Sequence, residues 1–310
     1  MSRPQQYTDD LRLAHILADS VDRVSAMRFR DRPVFSPASE VVEPAEAAPA
    51  AAPLAPWQQA TQQPAEPQVQ EPADYASGVA QEVEELLRAQ LSRVRTRDGI
   101  AGAHAGYNGQ AARQWVIAPI AEPDNFRRGV PVWATLIALL DQGEPVVGVV
   151  SAPALGRRWW AARGSGAYTG KSLAQATRLE VSSLTQLDQL SAAYTDLSSW
   201  KASEGAVDRS GELVQLLGCV GRSRAYGSFW AACMLAEGAV DTVVDASLSF
   251  YEVAALLPLI REAGGVASTL EGDLPEHAGV SAAGVRPVSL VASNTAAVQQ
   301  QVLEALAPRS

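Results

Sequence analysis

The sequence predicts an α/β fold in which layers of helices alternate with layers of sheet. From Trp115 onward, short β-rich runs follow one another and are separated by Asp/Gly and Pro/Gly turn signals. In the later part of the chain, strand-like and helix-like periodicities alternate, which is typical of stacked layers. The 310 residues, 47% of them hydrophobic, suffice for one large domain or two medium ones with a sizeable core.

Composition excludes several classes of protein. Lys plus Arg total 25 and Asp plus Glu total 34, so the net charge is −9. This acidity argues against a nucleic-acid or anionic-membrane surface. Cys219 and Cys233 cannot form a disulfide framework, and the longest apolar run, residues 130–140, is too short to cross a bilayer. With no visible secretory signal, we predict a cytoplasmic protein with no nucleic-acid and no membrane partner.

An amphipathic helix is predicted near the N-terminus. Thr8 is its expected N-cap, and Asp9 and Asp10 lie in its first turn, where acidic groups are favourable. One face is expected to carry the apolar side chains Leu13, Leu17, Val21 and Val24. His15, with no Cys or carboxylate partner nearby in sequence, is interpreted as a structural or surface histidine.

Residues 43–73 interrupt this pattern. They hold 7 of the 19 prolines and four glutamates, with no Lys or Arg. Such a tract buries too little apolar surface to offset its ordering entropy, so it predicts a disordered or polyproline-like insert. It is either a spacer or a partner-binding segment anchored by Trp57. We therefore divide the chain into an N-terminal helix (1–35), the insert (36–75) and a main domain (76–310).

The main domain opens with a second predicted helix. Val83, Leu87 and Leu91 face inward, and Glu84, Glu85 and Arg88 are expected on the outer side. Predicted strands then lie in WVIAPI, VPVWATLIALL, PVVGVV, RRWWAAR, ATRLEVS, LSAAYTD, Arg222–Tyr226, VDTVVD and SLVAS. Predicted helices lie around Glu212–Leu217, over Ser228–Glu237, over Tyr251–Ala263 before Gly264-Gly265, and around Val298, Val302 and Leu306.

The segment WVIAPIAEPDNFRRGVPVWATLIALL resembles the W-x-I-D-P-I-D-G-T-x-N-F motif of the inositol monophosphatase family. Phrases such as PVVGVVSAPALGRRWWAARG and AEGAVD resemble its bacterial histidinol-phosphate phosphatase branch. The resemblance covers the terminal helices and residues 76–307. It implies alternating helix and sheet layers, a dimer, and hydrolysis of a phosphate monoester with paired Mg²⁺ ions that activate water and neutralise charge.

Magnesium prefers oxygen ligands, and the resemblance implies a Gly-Glu-Glu turn, the two aspartates of D-P-I-D and the aspartate of a W-D pair. A Thr after D-G orients the water. In this chain, Gly102-Ala103-His104 stands at the Gly-Glu-Glu turn, and Tyr251-Glu252 stands at the W-D pair. Ala118 stands at the first aspartate of D-P-I-D. Ala121, Glu122 and Pro123 stand at the second aspartate and at the Gly and Thr that follow it. Pro123 also removes a backbone N–H donor. Glu252 is thus the residual metal carboxylate, and the other catalytic positions are degenerate.

Neighbouring groups offer a rival interpretation. Glu122 and Asp124 lie in the same loop and could replace the missing carboxylates, and His104 could offer a nitrogen. A metal site tolerates only small errors in ligand position, and Mg²⁺ prefers oxygen to nitrogen. We therefore favour a solvated acidic loop over a working magnesium site.

Other residues follow the family at structural positions. Asn125, Phe126, Gly129 and Trp133 are expected to support the loop and strand behind the site. The run Arg157–Trp160 is either a basic-aromatic nucleic-acid platform or, as we favour, two core tryptophans with two outward arginines.

Four residues are substrate-side candidates: Arg224, Ser228, Glu237 and Asp245. Arg222 and Arg224 either bind an anion or form a solvated strand edge. For the acidic pair Glu237 and Asp245, salt-bridged structural roles are the alternative.

These departures lead us to expect a pseudophosphatase with a regulatory, scaffold or ligand-binding role. The alternative is a Mg²⁺-dependent phosphomonoester hydrolase acting on histidinol phosphate, inositol phosphate or a similar small monoester. No cofactor is expected, and Mg²⁺ only under the alternative. The expected partners are a second copy or an active relative in a dimer, and a small phosphorylated ligand.

Overall fold

A computed structural model describes residues 6–33, 75–108, 111–201, 208–275, 280–281, 284–285 and 287–307. The predicted insert 43–73 lies outside them. Its limits as a domain stay a prediction, although a helix already begins at Tyr75.

Seven α-helices lie in the described part of the chain: α1 (Thr8–Arg30), α2 (Tyr75–Val94), α3 (Pro123–Arg128), α4 (Ser210–Cys219), α5 (Ser228–Ala236), α6 (Phe250–Glu262) and α7 (Ala296–Ala305). The strands are β1 (Gly99–Gly102), β2 (Gly106–Asn108), β3 (Arg113–Ala121), β4 (Ala134–Asp141), β5 (Glu144–Ala152), β6 (Arg157–Ala162), β7 (Gly166–Ser172), β8 (Gln175–Arg178), β9 (Ser191–Tyr194), β10 (Arg222–Ala225), β11 (Thr242–Ser249), β12 (Val266–Ser268), β13 (Val280–Ser281), β14 (Gly284–Val285) and β15 (Pro287–Ser293).

The strands form two large sheets and one small pair. The first sheet has eight strands in the order β2-β1-β3-β4-β5-β6-β7-β8, and only β1 and β3 pair in parallel. The second has five strands in the order β10-β9-β11-β15-β12. Strands β13 and β14 pair with each other.

The two sheets alternate with three layers of helix. Helices α1 and α2 pack on one face of the eight-stranded sheet, around Trp115 and Trp160. Helices α5 and α6 fill the space between the two sheets. Helices α4 and α7 cover the outer face of the five-stranded sheet. The predicted α/β layered fold is therefore confirmed.

Close approach of α6 to the eight-stranded sheet depends on a glycine. A Cβ atom added at Gly148 in β5 would lie 2.1 Å from the backbone oxygen of Ala255 in α6. Because no side chain fits in that space, glycine allows the helix to pack directly on the strand. This contact sets the depth of α6, whose first turn carries Glu252.

Helix α1 differs in detail from its prediction. It begins at Thr8, its N-cap is Tyr7, and no side chain caps it, so the proposed Thr8 cap is wrong. Leu17 and Val21 are fully buried as predicted, whereas Leu13 and Val24 are only half-buried. The inward face is completed by Leu11, Ala14 and Ala18.

The predicted outward orientation of Glu84 in α2 is wrong. Glu84 is fully buried together with Val83, Leu87 and Leu91. Its carboxylate bonds to Arg88 in the next turn of the helix, with 2.8 Å between Arg88 Nε and Glu84 Oε1. The inward face of α2 therefore includes an ion pair.

The tryptophans of β6 are buried as predicted, but Arg158 does not point outward. Alternation along the strand puts Arg158 on the same face as Trp160, where α1 packs. Arg158 is 8% exposed and lies within salt-bridge distance of Asp19 and Asp22. His15 is also buried there, so its structural role is that of a core residue of α1.

Among the described helices, none combines the length and apolar character needed to cross a membrane.

Candidate functional site

The candidate site lies where β3 ends and α3 begins. Ala118 and Ala121 are buried, at 4% and 1% exposure, and belong to the apolar layer between the sheets. Glu122 follows in the left-handed region with φ 60°, and Pro123 occupies the first turn of α3. A left-handed conformation is costly for a residue with a side chain. The strained residue, Glu122, stands at the position where the family motif has a glycine.

The supporting residues of this loop behave as predicted. Phe126 and Trp133 are fully buried and stack edge to face, with ring centroids 4.9 Å apart. Asn125 donates its amide to the oxygen of Val132 at 2.9 Å. Gly129 ends α3 with φ 80°, a conformation that favours glycine.

Glu122 is not the simple solvated residue that we expected. Its Oε1 accepts hydrogen bonds from the backbone N of Ser228 at 2.9 Å and from the Ser228 hydroxyl at 3.0 Å. Ser228 is the first residue of α5 and is 2% exposed. Glu122 therefore caps α5 across 106 residues of chain, in a position where the helix dipole favours a negative charge. Asp124, in contrast, is exposed and pairs with Arg127.

Asp245 is the most deeply buried carboxylate near this junction, at 1% exposure in β11. Its Oδ1 accepts the backbone N–H of Thr195 at 2.8 Å, and its Oδ2 is buried without a hydrogen-bond partner among the described residues. Burial raises the pKa of Asp245 to about 7, and the charges of Glu122 and Asp196 act in the same direction. The predicted alternative of a salt-bridged Asp245 is therefore wrong.

Glu252 lies in the first turn of α6. Burial, together with the negative charges of Glu122 and Asp245, raises its pKa to about 8. We call Glu122, Asp245 and Glu252 the acidic cluster, because the charge of Glu122 raises the pKa of both Asp245 and Glu252, and the charge of Asp245 raises the pKa of Glu252. Carboxyl groups with such pKa values can give or accept a proton near neutral pH.

The carboxylate of Glu84 supports the turn that matches the family's Gly-Glu-Glu. Glu84 accepts the backbone N–H groups of His104 at 2.8 Å and of Ala105 at 2.9 Å. A Cβ atom at Gly102 would lie 2.2 Å from Glu84 Oε1, so the carboxylate fits only beneath a glycine. Ala103 and His104 are exposed.

Sequence analysis missed Glu84, although a signal was present. In α2, Glu84 follows Ala80 by four residues and precedes Leu87 by three, which puts it on the inward stripe. The spacing therefore could have predicted that Glu84 lies on the buried face of the helix, but it could not have predicted the partners of the Glu84 carboxylate.

The remaining substrate-side candidates, Arg224 and Glu237, have contacts of their own. Arg224 is exposed on the edge strand β10, and its guanidinium bonds only to the adjacent Ser223 oxygen within the described part of the chain. Glu237 follows α5 and pairs with Arg157, and Trp159 Nε1 donates to it at 2.6 Å. The structural alternative thus fits Glu237, and a solvated edge fits Arg224.

The described residues do not assemble a metal cage. Across these ranges of the chain, no group of three or more His, Cys, Asp or Glu residues is arranged to hold a metal ion. Ala103, Ala118 and Ala121 supply no oxygen, and Glu122 directs one oxygen to Ser228. Glu252 therefore lacks the converging oxygens that Mg²⁺ requires.

Comparison with known proteins gives a consistent set of similarities. A model described as the inositol monophosphatase family matches residues 39–308. The histidinol-phosphatase of Streptomyces coelicolor is 42% identical over 288 residues, 89% of this chain and 92% of the relative. The histidinol-phosphatase of Mycobacterium tuberculosis is 46% identical over 202 residues, 65% of this chain and 76% of the relative.

A solved inositol monophosphatase from Zymomonas mobilis has the same fold, with a TM-score of 0.72 at 23% identity. The match covers 97% of this chain and 98% of that one.

These similarities correct our expectation of a pseudophosphatase. Relatives that are 42% identical over 288 residues and 46% identical over 202 residues are named as histidinol-phosphatases. The expectation rested on the missing carboxylates alone, whereas the similarity extends over most of the chain. The alternative, a phosphatase, agrees better with these relatives.

Proposed function

We propose, on the premise that the chain belongs to the inositol monophosphatase family, that it is a phosphoric monoester hydrolase acting on a small alcohol phosphate. Histidinol phosphate is the first substrate to test. The observation that carries this proposal is the 42% identity over 89% of the chain with a relative named histidinol-phosphatase. The family and these relatives are phosphatases by name, which supports a phosphatase as the general class.

The family resemblance implies Mg²⁺, but the residues of this chain do not fit paired Mg²⁺ ions. The test is the donor set: three of the aligned positions are alanines, and no described group of three or more potential ligands converges. We therefore assign no step of the reaction to a metal. That the protein needs no cofactor remains a prediction.

The chain itself supplies groups that can position a ligand. Glu122 of the acidic cluster bonds to the first residue of α5, and Asp245 and Glu252 carry protons over part of the neutral range. In hydrolysis, a water oxygen forms a bond to phosphorus and gives up a proton, while the bond between phosphorus and the alcohol oxygen breaks and the alcohol oxygen takes up a proton. Asp245 and Glu252 have pKa values suited to such proton transfers.

The experiment is phosphate release by the purified full chain. Histidinol phosphate and inositol 1-phosphate are offered separately, each with Mg²⁺ and with EDTA. We expect release from histidinol phosphate, reduced in Asp245→Asn and unchanged in Asp124→Asn, whose carboxylate is exposed and outside the acidic cluster. No release above the protein-free control from either substrate, with or without Mg²⁺, would contradict the proposal.

A dimer and a cytoplasmic location remain predictions from the resemblance and from composition. Sedimentation velocity of the purified chain checks the first, with a mass of twice 32.7 kDa expected for a homodimer.

A further inference from the structure

Helices α1 and α2 lie side by side and run in opposite directions. Arg28, near the end of α1, pairs with Glu82, near the start of α2, with 3.0 Å between Nη2 and Oε2. Further along α2, Gln90 donates a hydrogen bond to Ser20 Oγ at 2.7 Å. These two contacts define the register of the pair. Both helices pack their inner faces on the eight-stranded sheet, so their outer faces form one surface.

This surface carries several exposed apolar side chains. Ile16 on α1 is 59% exposed, and the register puts it opposite Val94 of α2, which is 54% exposed. Met27 and Leu86, at 42% and 38% exposure, lie toward the other end of the pair. Four of the ten exposed large apolar side chains among the described residues thus lie on these two helices. Such a concentration indicates a surface that another segment or molecule covers.

Unpaired arginines accompany the apolar side chains. Arg23 and Arg30 on α1 and Arg93 on α2 are exposed and have no ion-pair partner in the described part of the chain. Arg23 follows Ile16 by seven residues and precedes Met27 by four, so helical spacing puts these three side chains on one face. An acidic partner that also carries apolar groups complements such a surface. We call the following residues the outer face: Ile16, Arg23, Met27, Arg30, Leu86, Arg93 and Val94.

The chain itself contains a segment of this chemistry. Residues 34–74, which connect α1 to α2, include six Asp or Glu residues, no Lys or Arg, and Trp57. Neighbouring helices are commonly joined by about 2–8 residues, and much longer connections are usually functional. The segment starts and ends at the same end of the helix pair, where the Tyr75 hydroxyl donates to the Arg28 oxygen at 2.9 Å. It is therefore tethered at both ends beside the outer face.

The length of the segment allows Trp57 to reach any point of the outer face. At about 1.5 Å per residue, Ile16 and Arg28 lie about 18 Å apart along α1. A proline-rich chain spans about 3.1 Å per residue, so the residues between Trp57 and Tyr75 can cover about 50 Å. Such tethering gives the segment an effective concentration in about the millimolar range. A second copy of the chain is less suitable, because a symmetric contact would bring the same arginines together.

We propose that the outer face binds the segment 34–74 of the same chain, with Trp57 on the apolar side chains and the acidic residues of the segment beside Arg23 and Arg93. The segment is then the partner of the α1–α2 layer, and not a spacer. While bound, it competes with any other acidic protein for this surface, because both would need the same arginines.

The test is ¹⁹F NMR of the full chain labelled with 5-fluorotryptophan, in which Trp57→Phe assigns the Trp57 signal. In the parent, we expect this signal to differ from its position in concentrated urea. Arg23→Glu and Ile16→Ser should each reduce the ratio of bound to free segment by about fivefold, which moves the signal toward the urea position. Arg178→Glu on β8 and Val214→Ser on α4 are matched controls, since Arg178 is exposed and Val214 is 59% exposed, like Ile16.

The six other tryptophans lie in the described part of the chain, so their unchanged signals show that each variant folds. A Trp57 signal at the urea position in the parent would overturn the inference, as would a signal that does not respond to Arg23→Glu. Sedimentation velocity tests the other occupant. If Arg23→Glu halves the mass of the particle while the Trp57 signal stays in place, the outer face binds a second copy and the inference is wrong.

Discussion

Two polar clusters lie at the same end of the eight-stranded sheet, on its opposite faces. On the α1 face, Ser151 in β5 lies two strands from the end of β3, and Arg158 in β6 lies three strands from it. Arg158 Nη2 lies 2.6 Å from Asp22 and 2.7 Å from Asp19. On the α6 face, the acidic cluster has like charges only. We call Arg158, Asp19, Asp22, Ser151 and His15 the Arg158 cluster.

The two clusters differ in whether a cation acts on their acidic groups. In the Arg158 cluster, the burial that raises the pKa of Asp22 is opposed by Arg158 and by the Ser151 hydroxyl. His15 stays neutral, because burial and Arg158 lower its pKa to about 4. In the acidic cluster, hydrogen bonds from Thr195 oppose the rise in the pKa of Asp245, but no cation does. The Arg158 cluster contains its own cation and joins α1 to β5 and β6, although Asp22 Oδ1 and His15 Nε2 are buried without a hydrogen-bond partner among the described residues. The groups that shift the pKa values of the acidic cluster include no cation.

The largest expected effect comes from adding negative charge beside the acidic cluster, which tests the comparison between the two clusters. Ala118→Asp with Ala121→Asp introduces two carboxylates at positions that are 4% and 1% exposed. In EDTA we expect a loss of about 5 kcal/mol in the free energy of unfolding, because the new charges are buried and repel the cluster. Mg²⁺ should restore much of this, since a ligand bound by the native state stabilises it. Thermal melts with and without Mg²⁺ measure both effects.

The matched control is Ala118→Asn with Ala121→Asn, which adds the same volume without charge and should ignore Mg²⁺. If the aspartate variant also ignores Mg²⁺, then the backbone of residues 118–122 does not bring these side chains together around a metal.

The next test removes the counter-charge from the Arg158 cluster. Arg158→Met leaves Asp22 without its cation and should lower the free energy of unfolding by about 3 kcal/mol, because breaking a buried pair leaves an uncompensated charge. Arg12→Met is the control, since Arg12 and Asp9 form an exposed pair on α1, the helix that also carries Asp22. Exposed pairs contribute about 0–1 kcal/mol. Equal effects of the two variants in urea unfolding would contradict the distinction.

These variants also mark the limits of sequence analysis. Helical periodicity and β-rich runs predicted the elements and the layered fold, and the motif located the junction after β3. Strand alternation could have predicted that Arg158 shares a face with Trp160, but we assigned both arginines outward. The contact between Glu122 and Ser228 joins residues 106 apart, and no local spacing encodes it. Such long-range polar partners are set by tertiary packing and cannot be read from local spacing.

A third test uses pH. The pKa of Glu252 is raised from 4.5 to about 8 in the native state, so the native state binds its proton more tightly than the unfolded state. Its contribution to stability is present below about pH 4.5 and is lost as pH rises through about 8. Glu252→Gln removes this pH-dependent loss of stability. Between pH 5 and pH 9, we expect the free energy of unfolding of the variant to rise by about 2–3 kcal/mol relative to that of the parent.

This gain in the free energy of unfolding is smaller than the full pKa shift of Glu252 would give, because Asp245 titrates in the same pH range and its charge takes part in the same repulsion. Urea unfolding at several pH values measures it. Parallel stability curves for parent and variant would show that Glu252 ionises normally in the native state.

The smallest expected effect concerns Glu84, a buried carboxylate that does have its counter-charge. It bonds to Arg88 and to the amides of His104 and Ala105. Glu84→Gln keeps one acceptor oxygen but turns an NH₂ group toward the remaining donors, so we expect a loss of about 1–2 kcal/mol. Glu85→Gln is the control, because Glu85 is exposed and bonds only to Gln81 among the described residues.

Amide hydrogen exchange tests the Glu84 assignment locally. In Glu84→Gln, the N–H groups of His104 and Ala105 should exchange faster than in Glu85→Gln, while the amides of β3 keep their protection. This pattern is expected because Glu84 accepts hydrogen bonds from the turn and makes none of the hydrogen bonds of the sheet. Uniformly faster exchange would instead mean that Glu84 stabilises the domain as a whole. The carboxylate would then act through the packing of α2, and not as the support of the turn next to the candidate site.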